Sequence, residues 1–418
     1  MASIEGREVL QEQVAGIDVH RKSLRVCVRH IGADRRVRQE VRTFGTMTRD
    51  LLELRDWLEA EGVTHVARES TGVLWKPVYN LREGRVEVLR VNARHVKCVE
   101  GRKTDGKDGP WLAQLLSCGL RKASFLPPKP QRELRDLTRT RSQLVGERTR
   151  VVNRIPKVLE DANLQWGAVA SDLLGVSGRE MIEALIPGEQ DPEKMAQRAR
   201  RPLRGKIPQL RLALDGTVSD PPRFLLKRYW KQYDEIESWM GQFTERREEA
   251  CVPFAAAIEK ITEVPGYHER AAQDLVAEIG TDMSRFASDD PLCSWATICP
   301  GNHPSAGKQT SGKTVQGNRW LKAVLCQSAW AAARTKGSYW GAQYHRLAGR
   351  RGKKRAVIAV AHSQLKVIYH LLGSDQSYQD LGADYFLKLN ADRAARYHCK
   401  VLESMGYTVI PPDAKQVA

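Results

Sequence analysis

Lys103-Thr104-Asp105-Gly106-Lys107-Asp108-Gly109-Pro110-Trp111 is the stretch on which the reading of this chain turns. Asp105 and Asp108 stand three residues apart, and the apolar pattern Trp111, Leu112, Leu115, Leu116 that follows is that of a helix. Spacing of i, i+3 puts both carboxylates on one face of a first helical turn, aimed at one point. Such a pair has two uses: it caps a helix N-terminus, or it supplies oxygen ligands to a hard cation. Taken by itself the stretch favours the cap.

Two acids upstream shift that balance. Asp18 lies in Val14-Ala15-Gly16-Ile17-Asp18-Val19-His20, a short apolar run that reads as a buried strand. An aspartate inside such a strand is costly unless it is paired or bound to metal. Glu69 ends a second expected strand, 64–69, just before Ser70-Thr71-Gly72. Each acid alone has an ordinary reading, as a cap or as a solvated partner of Arg68 or Lys107. Asp18, Glu69, Asp105 and Asp108 together have the composition of a divalent-metal site for phosphoryl chemistry.

With 418 residues the chain has room for two or three domains, each with its own core. Lys and Arg number 67 against 50 Asp and Glu, a formal charge of +17 that favours a polyanionic partner, most simply nucleic acid. The eight cysteines form no CxxC and no Cys/His cluster, which argues against zinc and disulfide frameworks. The N-terminal segment is polar and acidic, unlike a signal peptide. No apolar run approaches the ~18–20 residues of a membrane span. The expected setting is a reducing bacterial cytoplasm, with action at the nucleoid and no membrane partner.

Residues 14–20, 23–30 and 36–44 read as three strands, followed by an amphipathic helix over 48–61 with Thr48 at its N-cap. A strand at 64–69, a helix over 73–83, a strand at 86–91 and the Asp105 helix follow. Three strands and then alternating helices and strands predict a mixed α/β layer of the RNase H-like, Holliday-junction-resolvase-like kind. From Leu134 the spacing changes: Leu137, Arg141, Leu144, Arg148, Val151, Ile155 and Val158 follow a 3-4 seam, with Pro156 marking a kink or stop near Ile155. Leu226, Tyr229, Tyr233, Ile236, Met240 and Phe243 repeat that spacing, so an antiparallel coiled-coil arm with an insert at its far end is expected. Arg141 and Arg148 lie on a solvated face or touch nucleic acid.

A mainly α-helical third region begins at Val264-Pro265-Gly266, where a Pro-Gly turn between helices is either a plain turn or a helix-hairpin-helix-like element that can meet a phosphate. Gly307-Lys308-Gln309-Thr310-Ser311-Gly312-Lys313-Thr314 is a cationic glycine-rich loop. Its glycine spacing is wrong for a nucleotide-binding P-loop. A basic run with Arg350, Arg351, Lys353 and Lys354 precedes a very apolar helix over 356–372, and the tail 376–410 is expected to be helical.

These motifs, Gly16-Ile17-Asp18-Val19-His20, Glu69-Ser70-Thr71-Gly72, Thr104-Asp105-Gly106-Lys107-Asp108, Val264-Pro265-Gly266 and Thr310-Ser311-Gly312-Lys313, together resemble the DEDD transposases of insertion-sequence family one-ten. That group comprises bridge-RNA-guided recombinases, and the subgroup with an extended C-terminal tail ending in Gly-Tyr is the nearest. The resemblance spans nearly the whole chain and implies three domains: 1–128 catalytic, 129–250 arm, 251–418 helical transposase domain. It puts the acidic tetrad at Asp18, Glu69, Asp105 and Asp108, with Mg2+ or Mn2+ as the metal, and the nucleophile at Ser311. It also implies a structured guide RNA, donor and target double-stranded DNA, and a homo-oligomer (dimer or tetramer) in which the acidic site of one protomer meets the serine of another. Gly106 and Gly109 stand where the family more often has alanine, and Pro156 is a further departure.

Three functions follow as expectations. The first is a recombinase in which Ser311 attacks a phosphodiester, assisted by the acidic tetrad, with Lys308 and Lys313 stabilising charge. The second is a metal-dependent, structure-specific nuclease that needs the acids but forms no covalent intermediate. The third is a non-catalytic nucleic-acid-binding protein, against which four spaced acids within 108 residues argue.

Overall fold

The apolar run around Asp18 is strand β1 (Gln13–Val19), and the N-terminal sheet is built outward from it. The computed structural model describes residues 11–32, 36–69, 87–91, 108–119, 123–124, 127–170, 172–299, 304–305, 308–309, 314, 316–389 and 391–409. Asp105, Ser311, Lys313 and the expected helix over 73–83 lie outside the described residues. The chain divides into two compact units, 1–127 and 128–418.

In the first unit, β2 (Ser23–Ile31) and β3 (Val37–Gly45) continue antiparallel from β1. On the other side, β4 (His65–Glu69) and β5 (Glu87–Val91) run parallel to β1, and β6 (Ala123–Ser124) closes the edge antiparallel. The sheet order is β3-β2-β1-β4-β5-β6. Alternation divides the side chains between two faces. Ala15, Ile17, Leu24, Val26 and Val28 pack with Leu51, Leu54, Trp57 and Leu58 of α1 (Thr48–Ala60). Val14, Cys27 and Ala67 face the other way, onto Leu112, Ala113, Leu115 and Leu116 of α2 (Asp108–Ser117). Thr48 is the first helical residue of α1, not its cap: Met47 holds the N-cap position, and its N–H donates to the Asp50 carboxylate at 3.2 Å. This mixed sheet between helices is compatible with the RNase H-like expectation.

The second unit opens with a long helix pair. α3 (Lys129–Val152) is followed by α4 (Ile155–Asp161), α5 (Val176–Leu185), α6 (Pro192–Ala196), α7 (Ile207–Ala213) and α8 (Asp220–Cys251). α3 and α8 lie antiparallel, with Leu144 and Val151 packed on Tyr233, Ile236 and Met240. The first helix breaks at Asn153–Arg154, so Pro156 falls in the first turn of α4, where its missing N–H is not needed. The insert has its own core, in which Trp166, Met181, Ile182, Leu210 and Leu226 are buried.

The remaining helices are α9 (Ala255–Thr262), α10 (Glu269–Ile279), α11 (Asp289–Trp295), α12 (Arg319–Ala332), α13 (Tyr339–Arg351), α14 (Lys353–Gly373), α15 (Tyr385–Lys388) and α16 (Ala391–Ser404). Short strands β7 (Pro304–Ser305) and β8 (Lys308–Gln309) pair between α11 and α12. Leu134, from the root of α3, is buried in the same cluster as Leu275, Leu325 and Val360, which ties the helix pair to this core. Against the expectation for apolar runs, α14 is long and apolar enough to cross a membrane. Its Ala356, Val360, Ala361, Leu365 and Ile368 are fully buried among the other helices, which makes it a core helix of this unit.

Candidate functional site

Asp18 sits one residue from the end of β1, where the strand leaves the sheet for the turn to β2; the turn is closed by the His20 N–H donating to the Ser23 carbonyl at 2.9 Å. Parallel pairing sets Ile17 beside Arg68, and one step along that register sets position 18 beside position 69. Neighbouring strands are about 4.8 Å apart. Val14 and Ala67 face α2, so by alternation positions 18 and 69 lie on that same face.

The N-terminus of α2 reaches this end of the sheet because two glycines allow it. A Cβ on Gly16 would lie 2.0 Å from the Gly109 carbonyl oxygen and 2.6 Å from the Ala113 nitrogen. Gly109 in turn lies close over the backbone of Gly16 and Arg25. Asp108, the residue before Gly109, thus begins a helix whose first turn rests on β1 two residues from Asp18. Three elements therefore bring three acidic positions, 18, 69 and 108, to one end of the α2 face. The side chains of Glu69 and Asp108 and the whole of Asp105 fall outside the described residues. Among the described residues no group of three or more His, Cys, Asp and Glu could hold a metal ion.

The Asp18 carboxylate is mostly buried and lies 3.1 Å from His20 Nε2, while His20 itself is exposed. Sequence reasoning passes over His20; the visible signal is its i, i+2 spacing from Asp18 at a strand end. Arg25 is the cross-strand neighbour of Asp18. Cys27 lies on the same face, but burial pushes its thiol up to about 11, so it stays protonated. An all-carboxylate set of this kind suits a hard cation such as Mg2+ or Mn2+ better than a thiolate-seeking metal.

Described residues on either side of Ser311 make defined contacts. β7 and β8 pair Ser305 with Lys308 on one side. On the other, Lys322 Nζ bonds to the Thr314 hydroxyl. Asn318 caps α12, its Oδ1 accepting from the N–H groups of Trp320 and Leu321 at 3.1 and 3.3 Å. Asn318 Nδ2 donates to Glu278 at 2.5 Å, and Arg139 grips the same buried carboxylate in two bonds of 2.7 and 2.9 Å. Glu278 and Asn318 were not legible as site residues: the one cue is an asparagine preceding a helical run.

Of the basic residues, Arg141 is buried in the helix pair with its Nε donating to Thr244 at 2.9 Å. Arg148 pairs with Glu237 at 2.8 Å, half-exposed. Arg350, Arg351, Lys353 and Lys354 are exposed at the junction of α13 and α14, where Gly352 takes a φ of 82°. The side chain of Lys308 is outside the described set.

Residues 15–163 match a family model described as Transposase, and residues 258–346 match one described as Transposase IS116/IS110/IS902 family. A family 20 transposase of Pseudomonas aeruginosa is 23% identical over 78% of this chain and 89% of its own length. A transposase for insertion sequence element IS1111A, from Coxiella burnetii, is 24% identical over 69% of this chain and 72% of its own.

Proposed function

Given that this chain belongs to the IS110 family of transposases, we propose that it cuts and rejoins the DNA strands of an insertion sequence through a serine–phosphate intermediate formed by Ser311 and assisted by the Asp18, Glu69, Asp105 and Asp108 carboxylates. The observation that carries the reading is the β1–β4 register, which sets positions 18 and 69 side by side under the first turn of α2. A divalent cation held by these carboxylates would stabilise charge on phosphate oxygens. The carboxylates repel one another when ionised, and that repulsion favours uptake of the cation.

In the reaction the Ser311 Oγ–P bond forms as a P–O bond of the strand breaks, the departing strand hydroxyl taking up a proton and the serine losing one. Bond energy is kept in the ester, so an incoming strand hydroxyl rejoins the backbone by the reverse step without ATP. Lys308 and Lys313 flank the serine and neutralise charge that develops on the phosphate. The Glu278–Asn318 bond fixes the start of α12, seven residues after Ser311. The Pro265–Gly266 turn is the helix-hairpin-helix-like element, and α3 with α8 forms the coiled-coil arm. A guide RNA and donor and target duplexes bind the basic surface, the chain acts as a homo-oligomer, and the setting is the bacterial cytoplasm.

The test uses guide RNA and a nicked donor duplex whose leaving strand diffuses away, resolved on a denaturing gel. A covalent protein–DNA band is expected for the wild type and for Ser305→Ala, none for Ser311→Ala, and neither adduct nor cleavage for Asp105→Asn. An adduct that survives in Ser311→Ala removes the serine assignment. Nicked DNA with no adduct even in the wild type makes the enzyme a metal-dependent nuclease.

A further inference from the structure

Three arginines distant in sequence line one cavity of about 630 Å³ in the second unit. Arg141 comes from α3, Arg247 from α8 and Arg270 from the first turn of α10. Arg247 is 3% exposed and Arg141 9%, while Arg270 stands exposed at the rim. Buried guanidinium groups are normally paired. Here Arg247 Nε has no hydrogen-bond partner among the described residues, and none of the three arginines forms an ion pair with a described residue.

Asp274 is the single acidic residue lining the cavity, so the lining carries three positive charges against one negative. Burial and then the neighbouring Arg270 and Arg247 push the Arg141 guanidinium below its ordinary value, and the single Asp274 carboxylate opposes them only in part. The cavity also receives the N-terminus of α10, an eleven-residue helix capped by His268, whose Nδ1 accepts from the Ala271 N–H at 3.2 Å. A helix N-terminus adds positive potential on the same side. The turn that leads into α10 is fixed by Gly266, at φ 94°, where a Cβ would lie 2.2 Å from the Ser328 carbonyl oxygen.

We infer that the cavity bounded by Arg141, Arg247 and Arg270 is an anion site that seats one backbone phosphate of a nucleic-acid strand. A purely structural arginine cluster would need carboxylates in number, and a neutral ligand would leave the positive charge in place. A phosphodiester supplies two non-bridging oxygens to the guanidinium forks, and planar bidentate recognition of this kind is the chemistry for which arginine is suited. The volume accommodates the phosphate with its flanking sugar. That the phosphate belongs to a nucleic acid rests on the transposase reading; that the cavity takes an anion does not.

The experiment uses full-length protein and two probes. Line broadening of inorganic phosphate in 31P NMR reports the anion site alone. Fluorescence anisotropy with a labelled DNA duplex and a labelled RNA hairpin, over a salt series, reports the strand. Arg247→Gln removes the buried fork, and Arg270→Ala, at the exposed rim, tests the site without disturbing the core; Arg246→Ala, on the outer face of α8, controls for loss of charge in general. Both site variants are expected to lose the phosphate broadening. They should bind one of the two nucleic acids about tenfold more weakly, with the log–log salt slope smaller by about one phosphate equivalent. The nucleic acid affected identifies the strand.

Wild-type broadening in Arg270→Ala, with wild-type affinity and slope for both nucleic acids, overturns the inference. Broadening lost with both nucleic acids unaffected overturns the strand assignment and leaves a site for a small anion. Neither measurement requires cleavage, so failure of the Ser311 adduct would leave this result intact.

Discussion

Asp274 bears its charge in the folded chain at a cost that can be measured. Burial pushes its carboxyl from 3.8 up to about 6, against the pull of Arg247, Arg141 and Arg270. A raised carboxyl means that the folded chain holds the proton more tightly than the unfolded chain. Below the unfolded value both states are protonated and the group contributes nothing. As pH rises from about 4 to 6 the unfolded chain ionises first, and stability falls across that window. Above it both states are ionised and the folded state carries the full penalty. The gap between 3.8 and about 6, at about 1.4 kcal/mol for each tenfold, comes to about 3 kcal/mol. Solvent screening of a group that is not fully buried makes that an upper figure. Asp274→Asn keeps the shape and removes the charge, so it should stabilise the second unit by up to about 3 kcal/mol at pH 8, with the gain shrinking steadily as pH falls towards 4. Urea unfolding of both proteins at pH 4.5, 6 and 8, followed by tryptophan fluorescence, measures it. A variant less stable than the wild type at pH 8 would refute the reasoning, because the carboxylate would then be a net stabilising partner of the arginines.

Two other substitutions test how the sites are held. Gly16→Ala places a methyl group against the Gly109 carbonyl and should lower the stability of the first unit by about 1–3 kcal/mol, displacing α2 and reducing DNA cleavage more than DNA binding; unchanged urea midpoint and cleavage rate would show that α2 does not rest on β1 in this way. Glu278→Gln removes the charge gripped by Arg139 and should cost about 3 kcal/mol in urea unfolding while lowering the yield of the covalent adduct, and an undiminished adduct would free the serine loop from this anchor.

The sheet was legible because its strands carry the period that burial imposes. Ser23–Ile31 alternates, Val14–Val19 is apolar except at Asp18, and an aspartate in so buried a strand already implied a compensating partner. Convergence of positions 18, 69 and 108 was legible as a set of acids, but not its cause, since nothing in the pattern shows that Gly16 is the point where α2 touches β1. The helix pair and its break near Pro156 followed from 3-4 spacing and from proline chemistry. Thr48 was misassigned because a threonine cap competes with Asp50, whose carboxylate reaches back to Met47 from inside the helix. The Glu278 anchor joins α3, α10 and α12, and no local pattern encodes a contact across 139 residues.

The arginine cavity marks the boundary of what sequence can tell. Arg141 was visible as a charged residue in an apolar seam, and Arg247 continues the facing seam one heptad beyond Met240. Neither position means much until the register of the two helices is known. Antiparallel packing brings Arg141 against Thr244 and Arg148 against Glu237, so the 141 and 247 levels of the pair nearly coincide. Arg148 meets an acid at its level, and the seam there is neutral. Arg141 meets a hydroxyl, with a second buried arginine one turn away. Two seam arginines at one level repel each other in a medium that screens them poorly, a defect that packing alone would remove by substituting leucine. Asp274 offsets one of the three charges around the cavity, and an anion delivered by a partner strand is what would neutralise the excess.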